Sequence, residues 1–266
     1  MSLPDELFDV RGARVVVTGA ASGLGRAIAE AMAGCGARVT LADVDAERLG
    51  EVASELAGRG GEVRSARLDV SDADAVERTF EEVVEAQGGV DVAFANAGIS
   101  LEPGVLDPRG GLDAFDRETW DTVLGVNLNG VIFTLRAAAS RMKRQGGGRI
   151  VVTASTAGFG TDPMVGYSYS ATKAAAIIIV RQAALELAPH GVHVNAIVPG
   201  PFRTRIGGDG APIPPEAWEE IVALGRMADP DEIKGVALLL ASPASSFMTG
   251  AIVPVDGGQL LMSHGE

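Results

Sequence analysis

The sequence predicts an α/β fold: a doubly wound, mostly parallel seven-stranded sheet with helices on both faces. Three observations predict it. Short β-branched runs alternate with longer stretches of helical period along the whole chain. The runs are almost continuously apolar, as strands covered on both faces require. A glycine-rich turn joins the first run to the first helical stretch, which is where such folds hold phosphate groups.

Residues 14–18, RVVVT, read as the first strand, and 23–33 as a helix with Leu24, Ile28 and Met32 on one face. Cys35, at the apolar end of that helix, reads as buried packing. Strand 38–42 and helix 46–57 form the second pair. Strand 63–68 opens the third, and Ser71 begins its helix with Asp74 three residues on in the capping position. Strand 90–95 leads into a Gly/Pro-rich loop, 99–116, and then one long helical pattern over 118–145. Strand 150–154 and helix 168–188 follow, then strand 192–198 and a second Gly/Pro-rich loop, 200–215. Asp229, Pro230 and Glu232 mark an N-cap, a proline at the first helical position and a reciprocal acid. A helix therefore runs to about residue 240, ahead of a last short strand at 252–255. No break in composition divides the chain. All of 1–266 reads as one domain, with 1–11 as an N-terminal extension and 200–226 as a substrate-binding loop with a short helix. In this architecture ligands sit beyond the carboxyl ends of the strands, where both long loops emerge.

Composition excludes several functions. Lys+Arg is 22 against 35 Asp+Glu, a formal net charge of −13, so nucleic acid is not an expected partner. One Cys and three scattered His, at 190, 193 and 264, do not make a metal centre, and no metal is expected. The longest wholly apolar run, residues 174–180, stops at Arg181, far short of the ~20 residues of a membrane span. The acidic N-terminus has no signal-peptide pattern, so a soluble cytoplasmic protein without a membrane partner is expected.

The turn from Thr18 to Gly25 reads TGAASGLG. Gly19, Gly23 and Gly25 let the backbone approach a pyrophosphate. The helix opening at Ser22, Gly23 and Leu24 supplies free N–H groups and a positive dipole end. Asp43 ends the second strand, where a carboxylate accepts hydrogen bonds from both adenosine ribose hydroxyls and repels a 2′-phosphate. Ser22 and Val44 flank that pocket without positive charge, and Arg48 is a helical turn away. NAD is therefore expected over NADP.

Taken together, residues 12 to 258 resemble the short-chain dehydrogenase/reductase family, single-domain Rossmann-fold oxidoreductases. The family's T-G-x-x-x-G-x-G matches Thr18 to Gly25. Its Asp-Val pair after strand three matches Asp69 and Val70, the Asp facing the adenine amine. Its N-A-G matches Asn96, Ala97 and Gly98, although the Asn that often precedes it is here Ala95. The central-helix Asn matches Asn127, the Ser after strand five matches Ser155, and Y-x-x-x-K matches Tyr169 and Lys173. The Pro-Gly after strand six matches Pro199 and Gly200, with Thr204 where the family meets the nicotinamide carboxamide. Asp256-Gly257-Gly258 is also shared.

The residues suit the chemistry that the resemblance implies. Tyr169 and Lys173, four apart, share a helix face. A phenol with pKa near 10 is a poor base at neutral pH. Lowering it by ~3 units takes about 4 kcal/mol, which one ammonium at ~4 Å supplies at an effective dielectric of ~20. Tyr169 is then the base toward an alcohol and the acid toward a ketone. Ser155 donates a hydrogen bond to the same substrate oxygen, and Asn127 orients a water or Lys173. The family reading adds a second role for Lys173, on the nicotinamide-ribose hydroxyls. Tyr167 is a decoy, since four residues on stands Ala171. Thr153 and Thr156 rival Ser155, whose strand-end position favours it. Asn129 rivals Asn127, and the family pattern selects Asn127.

Walls from 99–116, 156–164 and 203–218 offer Leu101, Val105, Leu106, Phe159, Met164, Phe202 and Trp218 beside few charges. They imply a mainly apolar secondary alcohol or ketone as the small-molecule partner. The family is mostly dimeric or tetrameric. The small-residue face of 168–188 and the apolar last strand suit a homo-oligomer. Two other readings exist. An NADP-linked 3-oxoacyl-thioester reductase is opposed by Asp43. A non-catalytic dinucleotide-sensing regulator is opposed by the complete set of Asn127, Ser155, Tyr169 and Lys173.

Overall fold

A computed structural model describes residues 2–206 and 220–262. Its centre is an all-parallel sheet of seven strands in the order β3-β2-β1-β4-β5-β6-β7. The strands are β1 (Arg14–Thr18), β2 (Arg38–Asp43), β3 (Glu62–Arg67), β4 (Val92–Ala95), β5 (Gly148–Thr153), β6 (Val192–Pro199) and β7 (Ile252–Val255). The chain lays β1, β2 and β3 outward in one direction, then returns to pair β4 with the other side of β1. The order therefore reverses between β1 and β4, and the carboxyl ends on either side of that point flank a crevice.

Alternation along the strands builds two cores. Val15 and Val17 pack on one face of the sheet with Val39, Leu41 and Phe94, under the helices α2 (Gly23–Gly34), α3 (Ala46–Gly58) and α8 (Lys234–Ala241). Val16, Ala93, Ile150 and Val152 face the other way, against α4 (Ala73–Gln87), α6 (Gly130–Gln145) and α7 (Tyr167–Leu187). Two short helices, α1 (Leu3–Leu7) and α9 (Gln259–Met262), lie at the ends of the chain. The fifth helix, α5 (Arg117–Leu124), runs into α6 through a π-turn, Gly125–Asn129.

Several elements depart from the sequence expectation, each for a physical reason. The single pattern over 118–145 is interrupted by that π-turn, where Gly130 N bonds Gly125 O five residues back. An extra residue in a helical turn leaves the apolar spacing on each side intact, so periodicity does not reveal it. The combined helix is long and apolar enough to cross a membrane, with Val131, Leu135, Ala138 and Met142 buried in the core. The cap of α4 is Asp72, which accepts from Asp74 N and Ala75 N, and not Ser71 with Asp74; Ser71 bonds Asp69 instead. The strand β3, expected to be apolar, is a polar edge, EVRSAR, covered on one side only. Cys35 is exposed and not buried: it is the C-cap residue of α2, past the stripe of Ala29, Met32 and Ala33 that faces the core. Phe202, expected in a substrate wall, packs into the α2-side core. Trp218 lies outside the described residues.

Candidate active site

The glycine turn and the turn after β4 are fastened together. Thr18 is buried at the end of β1, and its hydroxyl donates to Phe94 O and accepts from Asn96 N and Ala97 N at 3.0 and 3.1 Å. The Asn96 amide donates to Thr18 O and accepts from Thr153 Oγ1 at the end of β5. Asn96 is thus a strut between three strand ends, its polar atoms occupied by protein. The contact is close enough to require glycine. A Cβ on Gly19 would stand 2.8 Å from Ala97 Cα, and one on Gly25 2.0 Å from Gly19 O. Gly19 and Gly23 also take positive φ, +68° and +52°.

This turn fits a dinucleotide phosphate. Helix α2 opens without a side-chain cap although Ser22 stands at its N-cap position, so no side chain competes with a phosphate for its first N–H groups. Asp43 lies beside it, held by Ala21 N and Asp45 N, both at 3.0 Å. Those bonds fix the carboxylate at the carboxyl end of β2, where a ribose would lie. Val44 is exposed there, and Asp69 and Val70 follow β3, with Val70 buried against Gly130. Gly98 lies between Lys173 Nζ and Asn127 Oδ1, which a Cβ would meet at 3.4 and 3.5 Å. Pro199 ends β6, and Gly200 is pressed against Asp256, which a Cβ would approach to 2.8 Å. Thr204 then reaches over the turn to Gly23.

Ser155 follows β5 and opens a short 3₁₀ turn, accepting from Ala157 N. Its hydroxyl also lies close enough to the Tyr169 phenol to favour the ionised form. Tyr169 and Lys173 project from the first turns of α7, both buried. Lys173 Nζ donates to Thr153 O at 2.9 Å and stands 5.5 Å from the centre of the Tyr169 ring. The two threonine rivals have structural tasks: Thr153 bonds Asn96, and Thr156 bonds Gln259 near the C-terminus. Asn129 is exposed, whereas Asn127 is fully buried. Tyr167 is exposed as well.

Two expectations about this cluster change. Lys173 was to lower the phenol. Instead burial pushes Tyr169 up to about 12, opposed only by the Ser155 hydrogen bond and reinforced by the charge of Asp162. The ammonium, bonded to Thr153 O, stands 5.5 Å from the ring centre, and burial brings Lys173 itself down to about 8. In this geometry the phenol oxygen therefore keeps its proton at neutral pH. Asn127, expected to orient a water or Lys173, clamps the backbone of Ile99. Its Oδ1 accepts from Ile99 N and its Nδ2 donates to Ile99 O, both at 2.8 Å. The π-turn presents this amide to the start of the 99–116 loop.

Sequence reasoning missed Glu102. Its carboxylate accepts from Ser168 N at 3.1 Å and from Ser168 Oγ at 2.6 Å, capping α7 one residue before Tyr169. A negative charge at the N-terminus of a 21-residue helix is favourable. Beside it, Pro103 and Val165 form an antiparallel bridge, and Leu106 N reaches Pro163 O. The loop after β4 and the segment before α7 are thus one wall. No local pattern announces a cap that arrives from 66 residues away. Asp162, in the same wall, was also missed. Among the described residues no cluster of His, Cys, Asp and Glu is arranged to hold a metal.

A family model described as enoyl-(acyl carrier protein) reductase matches residues 19–259. An L-rhamnose 1-dehydrogenase (NAD(P)(+)) of Azotobacter vinelandii is 36% identical over 250 residues, covering 92% of this chain and 95% of the relative. A meso-2,3-butanediol dehydrogenase of Serratia marcescens is 36% identical over 244 residues, covering 92% and 93%. Among solved structures, a short-chain type dehydrogenase/reductase from Mycobacterium marinum superposes with a TM-score of 0.89 at 39% identity, covering 97% of this chain and 99% of that one.

Proposed function

The chain belongs to the short-chain dehydrogenase/reductase family and is an oxidoreductase, and from that premise we propose that it moves a hydride between NAD and a secondary alcohol or ketone, with Tyr169 handling the proton. One observation carries the reading. The Ser155 hydroxyl acts on the Tyr169 phenol, with Lys173 buried 5.5 Å from the ring centre and Gly98, next to the turn that fastens Thr18, against its Nζ. A sensor has no need of a buried ammonium and a buried phenol held against each other.

When bound, the cofactor supplies the hydride acceptor or donor and, in its oxidised form, one positive charge. The chain's own residues do the rest. Ser155 directs a hydrogen bond to the substrate oxygen. Tyr169 gives its proton to a developing alkoxide, the direction in which its high pKa suits it, and takes the hydroxyl proton in reverse. Lys173, anchored on Thr153 O, keeps its ammonium 5.5 Å from the centre of the Tyr169 ring. Asn127 fixes Ile99 and with it the loop that covers the site. The cofactor side is read as Gly19, Ser22, Gly23, Leu24 and Gly25 on the pyrophosphate, Asp43 and Val44 on the ribose, and Asp69 and Val70 at the adenine. Asn96, Ala97, Gly98, Pro199, Gly200 and Thr204 then surround the nicotinamide end. NAD is favoured over NADP because Asp43 would face a 2′-phosphate with like charge.

Leu101 and Val105, both exposed on the loop after β4, support a substrate with an apolar body. Ile178 and Leu185, exposed along α7, support a homo-oligomer, and the acidic surface opposes a nucleic-acid partner. We read the protein as one cytoplasmic domain.

The test is Tyr169→Phe. Turnover should fall roughly a thousandfold or more, while NADH binding, read by fluorescence titration, stays within a fewfold of the parent. Undiminished turnover would refute the mechanism.

A further inference from the structure

Helices α3, α4 and α5 each begin on an aspartate of their own, Asp45, Asp72 and Asp116, which accepts from a backbone N–H in the first turn. Helix α7, which carries Tyr169 and Lys173, does not. Its N-cap position is Gly166, without a side chain to offer. The acceptor comes instead from the loop after β4: Glu102 Oε2 accepts from Ser168 N at 3.1 Å and from Ser168 Oγ at 2.6 Å. Ser168 is fully buried. The arrangement excludes a local cap, because a Cβ on Gly166 would stand 2.4 Å from Glu102 Cβ and 2.7 Å from its Oε2. The loop that supplies the carboxylate is itself pinned. Asn127 holds Ile99, Ser100 N reaches Ile206 O at 3.1 Å in the loop after β6, and Pro103 bridges Val165. A local cap stabilises a helix whatever the rest of the chain does. A cap brought by a pinned loop does so only when loop and helix are in register, and Tyr169 is the next residue after Ser168.

We propose that Glu102 is a positioning residue for the reaction: through Ser168 it locks the first turn of α7 to the loop after β4, and so fixes the Tyr169 phenol against Ser155 and the reacting oxygen. The inference rests on the reading of Tyr169 as the group that moves the proton. Glu102 acts on the backbone and hydroxyl donors of Ser168, and not on substrate or cofactor. Two charge-assisted bonds to one buried residue, at the positive end of a 21-residue helix, give the lock its strength. A misplacement of about 1 Å at a reacting group costs on the order of a hundredfold in rate, which is the scale on which loss of the lock should be read.

The experiment measures single-turnover NADH formation by stopped flow, using whichever of 2-butanol, 2-octanol, cyclohexanol and 1-phenylethanol the parent oxidises fastest. The KM for that alcohol, the Kd for NADH and Tm are measured beside it. Glu102→Ala should slow the single turnover by about ten- to a hundredfold and leave KM and Kd within about threefold. Glu102→Gln keeps one acceptor oxygen without the charge and should fall between. Ser168→Ala should lose rate as well. The Glu102→Ala/Ser168→Ala pair should be no slower than Glu102→Ala alone, because both changes remove one interaction. A second pair, Glu102→Gly with Gly166→Asp, clears the space at Gly166 and gives α7 a cap of its own. It should recover Tm relative to Glu102→Gly, and not the rate. If Glu102→Ala is unfolded, Glu102→Gln, Ser168→Ala and the recapped pair decide. A parental rate in Glu102→Ala, losses that multiply in the first pair, a loss seen in KM or NADH affinity with the rate intact, or a rate that returns with Tm in the recapped pair would overturn the proposal. A Tyr169→Phe variant as fast as the parent, or a parent inactive on all of these alcohols, tells instead against the underlying reading of the reaction.

Discussion

Replacing Lys173 with Met should end turnover and make the protein more stable at neutral pH. The ammonium is 2% exposed and has one hydrogen bond, to Thr153 O. Burial brings its pKa from 10.5 to about 8. At 1.36 kcal/mol per decade, that gap is worth about 3 kcal/mol. The sign follows from linkage: a group whose folded pKa is depressed contributes its full stability above pH 10.5, where it is neutral folded and unfolded. That contribution is lost as pH falls toward 8, and below pH 8 the folded protein carries the whole cost of a buried charge. Met has similar length without the charge. It forfeits the hydrogen bond and leaves Thr153 O unpaired, about 1–3 kcal/mol in the other direction. The net gain at pH 7 is then about 1 kcal/mol, or ~2–4 °C in Tm. The sharper observable is the pH dependence. The advantage of the variant should shrink by about 2 kcal/mol between pH 7 and pH 9.5, because only the parent gains as Lys173 discharges. Urea unfolding followed by circular dichroism at four pH values measures this, with other titrations cancelling between the two proteins. A stability difference that stays constant across that range would refute the reasoning.

Two further outcomes follow from the cofactor side. Asp43→Ala should narrow the preference for NAD over NADP by about tenfold or more, since one like-charge contact and two ribose hydrogen bonds disappear together; steady-state kinetics with both cofactors measure it, and an unchanged ratio counts against the assignment. Thr18→Val should cost about 1–3 kcal/mol, because the part-buried Asn96 N and Ala97 N both lose their acceptor. It should also weaken NADH binding as the two turns separate, and a variant with parental Tm and affinity would contradict the strut.

Much of this site was legible because its residues answer to local rules. The Tyr169–Lys173 pair needs only a helix, and Asp43 needs only a strand end. The glycines answer to close approach: Gly25 leaves no room for a Cβ against Gly19 O. What escaped the sequence depends on distances that spacing does not encode. Lys173 shares a face with Tyr169, yet its ammonium is taken up by Thr153 O, an acceptor that only tertiary packing brings there. Asn127 was found, but not its partner, because the Ile99 backbone approaches only through tertiary packing. Glu102, in the loop after β4, meets Ser168 in the first turn of α7, and neither belongs to a local motif. Phe202 looked like wall because it lies in a loop, whereas the loop folds it back into the core. Cys35 was misread because hydropathy assigned the end of α2 to its apolar stripe, two residues past Ala33, where that stripe ends.

The π-turn between α5 and α6 acts as a phase adjuster between two packing partners. The segment before it is indexed to α7, and the segment after it to α4 and the sheet. A regular helix advances about 100° per residue, so one stored residue lets each half present its own face to its own neighbour. Removing one residue there would leave both halves as sound helices, yet it would rotate one against the other and carry the Asn127 amide away from Ile99. The same deletion a turn further along, inside α6, would misalign the core and not the amide. The chain thus keeps its freedom to re-aim a polar group at the crevice separate from the requirements of the core, within five residues of one continuous helix.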